Sequence, residues 1–272
     1  MARRRRRPAV AGLFYPEDPA ELSAAVRRHV RGARDPGGPP PVAVIAPHAG
    51  YVYSGPVAGS AYARVASLAG RVRRVVLVGP SHRVAFRGLA VPSADVLETP
   101  LGDVPVDRDA AERLVALPQV VERDDAHAGE HSLEVQLPFL QEVLGALPVL
   151  PLAAGTATAE EVAEVLDALW DPPGTLFVVS SDLSHYEDYE TARRRDEATS
   201  RAIEALRPEA LDADSACGRV GVRGLLLLAR RRGLRARTLD LRSSGDTAGP
   251  RDRVVGYGAY EIGWPEGAAG SA

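Results

Sequence analysis

A single cysteine, Cys217, stands in 272 residues, so no intramolecular disulfide can staple this chain, and a reducing compartment suits it. Lysine is absent: all 33 basic residues are arginine. Aromatic residues make up only 5%, which leaves core packing to aliphatic side chains. No apolar run approaches the roughly 20 residues that a membrane span needs. The formal net charge of −3 predicts no global attraction to nucleic acid or to an anionic membrane. Arg3 to Arg7 form a basic run, but the long apolar stretch of a signal peptide does not follow it. A solvated tail over residues 1–7 and a cytoplasmic protein are the expectations.

What is present fits one domain over residues 1–272. Hydrophobic residues make up 45% and charged residues 25%, as in proteins with a substantial core. No repeat is visible, and the best loop, residues 34–41 (RDPGGPPP), is too short to separate domains. Residues 266–272 are small and polar and are expected to fray.

Short β-branched runs bounded by Gly or Pro predict strands over 42–45, 75–78, 89–91, 149–152, 176–179, 237–241 and 255–262. Helical patterns cover 19–31, 57–68, 107–117, 133–144, 159–170, 189–206 and 223–232. This alternation predicts an α/β fold with a mostly parallel or mixed central sheet flanked by helices.

Open α/β sheets build their sites where strands exit. Here the strand at 42–45 runs into Pro47-His48, that at 75–78 into Ser81-His82, and that at 176–179 into Asp182-Leu183-Ser184-His185. The strand at 237–241 runs into Ser243-Ser244-Gly245-Asp246. A lone histidine is more often a polar loop residue than a ligand, but three in the same structural position are far less expected by chance. Two imidazoles and one carboxylate with open coordination positions suit non-haem Fe(II). His48, His82 and Asp246 are therefore the candidate metal ligands, and His185 is left free for proton transfer. Asp182 either orients a neighbour or caps the following turn. Tyr51, Ser81 and Ser244 lie in the same turns and complete the candidate pocket.

A second polar cluster spans residues 124–140. It contains His127-Ala128-Gly129-Glu130-His131, an H-x-x-E-H string like that of some zinc peptidases. That chemistry needs both imidazoles on one helix face, and Gly129 argues against a helix there. Glu130, His131 and Glu134 are instead expected to line or brace the pocket, the bland alternative being a helix start capped by Ser132. Cys217 is expected to be a buried structural thiol. Neither a P-loop nor a Rossmann fingerprint is found.

The motifs resemble the Memo family, in particular its prokaryotic branch named AmmeMemoRadiSam system protein B. The resemblance rests on residues 7–16 (RPAVAGLFYP), 47–55 (PHAGYVYSG), 79–82 (GPSH), 98–102 (ETPLG), 130–138 (EHSLEVQLP) and 180–186 (SSDLSHY). It continues through residues 216–218 (ACG), 243–246 (SSGD) and 256–259 (GYGA), so it spans nearly the whole chain in order. It implies a fold similar to the LigB-like class III extradiol dioxygenases, which hold iron with two histidines and a carboxylate. Carried over by motif, His48 and His82 match the histidine ligands and His185 the acid–base residue. Asp246 falls where the carboxylate ligand stands. The implied metal is Fe(II), with copper or zinc as alternatives. The implied partners are a radical-SAM protein and an AMMECR-type domain, beside an unidentified small-molecule or peptide ligand. A metal-dependent oxidoreductase is thus the first reading. A non-catalytic metal- or peptide-binding protein on the same fold and a metal-dependent hydrolase are the alternatives.

Overall fold

The computed structural model describes residues 3–267. A nine-stranded sheet runs through the molecule in the spatial order β10 (His185–Glu187), β12 (Val254–Gly263), β2 (Ala43–Ala46), β9 (Thr175–Ser180), β3 (Arg74–Pro80), β8 (Val149–Ala154), β4 (Leu89–Val91) and β7 (Val120–Glu122). The ninth strand, β11 (Arg235–Ser243), pairs with β12. The central strands β2, β9, β3 and β8 are mutually parallel. β12 runs antiparallel to β2, and β4 antiparallel to β8, so the sheet is mixed.

Period-two side-chain geometry gives the sheet two cores. Ala43, Ile45, Val76, Val78, Phe177 and Val179 face one side, against α3 (Arg108–Leu114), α6 (Ala159–Asp167) and α8 (Arg219–Arg231). Val44, Ala46, Val75, Leu77, Leu176 and Val178 face the other, against α1 (Pro19–Arg31), α2 (Tyr51–Ala66) and α5 (Leu137–Leu144). The continuous apolar runs of the central strands follow from burial on both faces. The short α4 (Asp125–Ala128), the long α7 (Tyr189–Glu204) and the short α9 (Ser244–Thr247) complete the helices among the described residues. None is long and apolar enough to cross a membrane.

Three expectations need correction. Helix α2 starts at Tyr51, not at residue 57, and carries Pro56 inside it. Gly55-Pro56 reads as a breaker, but an added Cβ at Gly55 or Gly59 would collide with His29 of α1. The two glycines let the helices approach, and tertiary packing overrides local propensity. The helix expected over 133–144 is a 3₁₀ turn, Glu134–Gln136, followed by α5, and the Ser132 hydroxyl donates to Pro80 O instead of capping it.

The third correction concerns the basic tail. Arg5–Arg6 form β1, which pairs in parallel with β5 (Val96–Thr99) in a small sheet completed by β6 (Gly102–Pro105). Arg5 is bridged to Glu98 and Asp103, and Arg6 to Glu134. Acidic partners distant in sequence order this run, and charge patterning alone cannot show them. At the other end, Glu266 and Gly267 lie in a turn, and the rest of the segment expected to fray lies outside the described residues.

Candidate metal centre

The three parallel strands β2, β9 and β3 are neighbours, so their exits converge. His48 follows β2 and His82 follows β3. A third imidazole, His131, comes from the loop after α4. One ligand nitrogen from each of the three lies within 4.8 Å of the other two. The ring centroids are 5.3 Å apart for His48–His82, 5.5 Å for His48–His131 and 4.7 Å for His82–His131. Gly79 admits the loop: a Cβ there would lie 2.8 Å from Ser132 Oγ.

Each strand-exit histidine is held from behind. His48 Nδ1 lies 2.9 Å from Ser180 Oγ, and its backbone N–H donates to Asp182 Oδ1 at 2.7 Å. His82 Nδ1 lies 2.9 Å from Glu130 Oε1, and its backbone N–H donates to Glu130 Oε2 at 2.6 Å. Ser132 N–H also donates to Glu130, at 2.8 Å. Burial pushes the Glu130 carboxyl up, but the His82 ring and these backbone donors outweigh it and bring it down to about 2. A carboxylate accepts and cannot donate, so His82 carries its proton on Nδ1 and offers Nε2. Carboxylate–histidine pairs of this kind orient metal-bound imidazoles. His131 Nδ1 stands 3.4 Å from the same carboxylate.

Burial, then repulsion from His82 and His131, holds the His48 imidazole well below its ordinary range, so it is neutral and a competent donor. Burial also lowers His131. Asp182 is pushed up by burial, against the pull of the His48 N–H. Its Oδ1 holds the His48 backbone N–H.

Asp246, expected as the third ligand, is engaged with other partners. It is not part of the histidine group. Its Oδ2 accepts from Ser243 N–H at 2.9 Å and from Ser243 Oγ at 3.0 Å, and its Oδ1 accepts from Tyr189 Oη at 2.6 Å. It closes a capping box on α9. β11 is separated from β2 by β12, and two strand spacings put its exit roughly 10 Å from that of β2.

The remaining candidates scatter. The Ser81 hydroxyl donates to Val84 O, Tyr51 Oη donates to Val135 O, and Ser244 Oγ accepts from Val255 N–H. Glu134 braces the N-terminal segment rather than the pocket: it accepts from Ala9 N–H, Val10 N–H and Tyr15 Oη. His127 is turned away, with Nε2 on Ala90 O at 2.9 Å. His185 is exposed and opens β10, with Nδ1 2.8 Å from Leu183 O, so Nε2 is its free nitrogen. Tyr186 beside it has φ 60, at a break in the β10–β12 register. Such bulges re-aim side chains.

Sequence reasoning missed one neighbour. Cys217 Sγ lies 3.2 Å from His48 Nε2 and accepts from Asp182 N–H at 3.3 Å. No histidine near Cys217 in sequence signals this contact; only the packing of the turn before α8 creates it. Burial pushes the thiol well up, so the metal-free protein holds it as a thiol.

A mixed α/β sheet whose parallel strand exits gather histidines defines a candidate metal-site protein. The model of the family described as Memo-like protein matches residues 6–261. A MEMO1 family protein of Thermotoga petrophila is 39% identical, over 93% of this chain and 98% of the relative. One from Aquifex aeolicus is 35% identical, over 93% and 97%, and one from Desulfurococcus amylolyticus is 33% identical, over 95% and 99%. The chain belongs to the Memo family. The crystal structure of an uncharacterized protein from Escherichia coli K12 superposes with a TM-score of 0.53 at 17% identity, covering 81% of this chain and 99% of that one, a likeness of fold.

Proposed function

We propose that this protein binds a metal ion through His48, His82 and His131 and uses it on a small molecule held at the site's mouth. The observation that carries this reading is the clustering itself: three ring nitrogens within 4.8 Å of one another, two of the rings buttressed from behind. Tetrahedral donors to one ion stand about 3.4 Å apart, so small ring rotations bring the set to bonding geometry. With Asp246 engaged elsewhere, the set is rich in nitrogen and has the Cys217 sulfur at hand. Imidazole suits zinc, copper and Fe(II), thiolate suits zinc and copper, and hard-oxygen ions such as magnesium are disfavoured. Preference for iron is thereby weakened from what a His/His/Asp set would give.

An ion there supplies Lewis-acid character. The chain's own part is to keep two Nε2 lone pairs pointed inward, to hold the His48 backbone through Asp182, and to offer His185 Nε2 for proton transfer. We assign an oxidoreductase related to the extradiol dioxygenases as the reaction class. A binding protein on the same fold is the second reading. It is favoured by exposed Val52, Tyr53 and Tyr186, which follow His48 and His185 in sequence and offer apolar surface.

The test is metal content after anaerobic purification, for wild type and for His48→Ala, His82→Ala and His131→Ala. Loss in all three is expected, and unchanged content in all three sinks the site. His185→Ala should keep the metal and lose turnover; a His185→Ala protein with intact turnover overturns the acid–base role.

A further inference from the structure

His82 and His48 are buttressed by different chemistry. The acceptor behind His82 is a carboxylate, which leaves one proton arrangement only. Behind His48 stands a hydroxyl, which can donate or accept, so the proton on His48 depends on what else Ser180 touches.

Ser180 Oγ has three partners. It lies 2.6 Å from Ser132 O, 2.8 Å from Gln136 Nε2 and 2.9 Å from His48 Nδ1. A hydroxyl has one proton and two lone pairs. Ser132 O is a carbonyl and can only accept, and two oxygens 2.6 Å apart need a proton between them, so the Ser180 proton lies there. The Gln136 amide is oriented at both ends. Its nitrogen faces the carbonyl Pro47 O at 3.0 Å, which only accepts, and its oxygen receives Tyr62 Oη at 2.8 Å. Gln136 Nε2 therefore donates to Ser180 and occupies one lone pair. What remains for His48 is the other lone pair, and only a donor satisfies it.

We propose that Ser180, saturated by Ser132 O and Gln136, is a positioning residue that locks His48 as the Nδ1–H tautomer and keeps its Nε2 as an open lone pair. The proposal rests on the metal reading for its purpose but not for its geometry. With Nδ1 protonated, Nε2 faces Cys217 Sγ at 3.2 Å as an acceptor, and the single S–H can go to it or to Asp182 O at 3.7 Å. The segment 130–136 then governs both strand-exit imidazoles: Glu130 fixes His82, Ser132 O and Gln136 fix His48 through Ser180, and His131 comes from the same stretch. Without the Ser180 hydroxyl, His48 Nδ1 loses its acceptor, and Nε2–H directed at Cys217 Sγ becomes the favoured form. That form has no lone pair for a metal.

The experiment is a long-range ¹H–¹⁵N correlation spectrum of metal-free protein labelled at histidine, with His48 assigned by its loss in His48→Gln. The wild type should show His48 protonated on Nδ1 at neutral pH. Protonation on Nε2 overturns the proposal. Ser180→Ala should shift His48 toward Nε2–H and weaken Co(II) binding, titrated by absorption, by roughly ten-fold or more. A Ser180→Ala protein that keeps both the wild-type tautomer and the wild-type Co(II) affinity overturns it too. If Ser180→Ala does not fold, the wild-type spectrum alone decides. A wild type with the Nδ1–H tautomer that binds no Co(II) removes the metal reading while the lock stands.

Discussion

The exits of β2 and β3 and the exit of β11 all lead through a tight turn to a potential ligand, the first two from unbroken apolar runs and the third from the mixed stretch 237–241 (RTLDL). They end up doing opposite things. At β2 and β3, buried partners hold the imidazoles from behind and leave a nitrogen free. At β11, the ligand candidate turns back on its own backbone, and Asp246 caps α9. The difference lies in position within the sheet. β2 and β3 flank β9 at the centre, whereas β11 stands beyond β12. A side chain at the centre is surrounded by buried groups of other elements that can orient it; Asp246, at the margin, is taken up by its own turn and by Tyr189 of α7.

The largest effect is expected where the central network is cut. Glu130→Ala leaves His82 N–H and Ser132 N–H without their buried acceptor. It should cost about 3 kcal/mol in denaturant unfolding and weaken metal binding by roughly 10–100-fold. A loss below about 1 kcal/mol would break the claim that the central exits are the more tightly held.

A pH titration sharpens the contrast. Burial lowers the His127 imidazole from 6.5 to about 4, so the unfolded chain takes up the proton more readily than the folded one. Stability from this group is full above about pH 6.5 and is lost as pH falls toward 4, a swing of about 3 kcal/mol. Glu130, held at about 2, contributes stability above the ordinary carboxyl range of about 4.5 and loses it as pH falls toward 2. His127→Gln should flatten the upper part of that acid limb, read as denaturant midpoint against pH. An unchanged slope between pH 6.5 and 4 would refute the assignment.

The smallest effect belongs to the margin. Asp246→Ala should retain the metal content of the wild type and cost about 1 kcal/mol through loss of the α9 cap. Metal loss in Asp246→Ala without loss in His131→Ala would reverse the comparison and restore the His/His/Asp set.

Much of the architecture was legible because it follows from local pattern. Residues 42–45, 75–78 and 176–179 are unbroken apolar runs, and only a strand buried on both faces makes use of them. The Gly and Pro residues beside His48 and His82 mark the turns. The small sheet was not legible, because Arg5–Arg6 read as a tail until Glu98, Asp103 and Glu134 were brought to them. Nor was the start of α2, where Gly55 and Gly59 serve a helix contact that leaves no local trace.

By itself the sequence determined the fold class and the placement of His48 and His82 at strand exits, because periodicity and turn chemistry are properties of neighbours along the chain. Only the tertiary structure decided the third member of the histidine group. His131 and Cys217 reach His48 across 83 and 169 positions of sequence, and Asp246, equally plausible on paper, falls outside. Which donors share a point depends on strand order and on which polar groups find partners first, and neither is written in the spacing of residues.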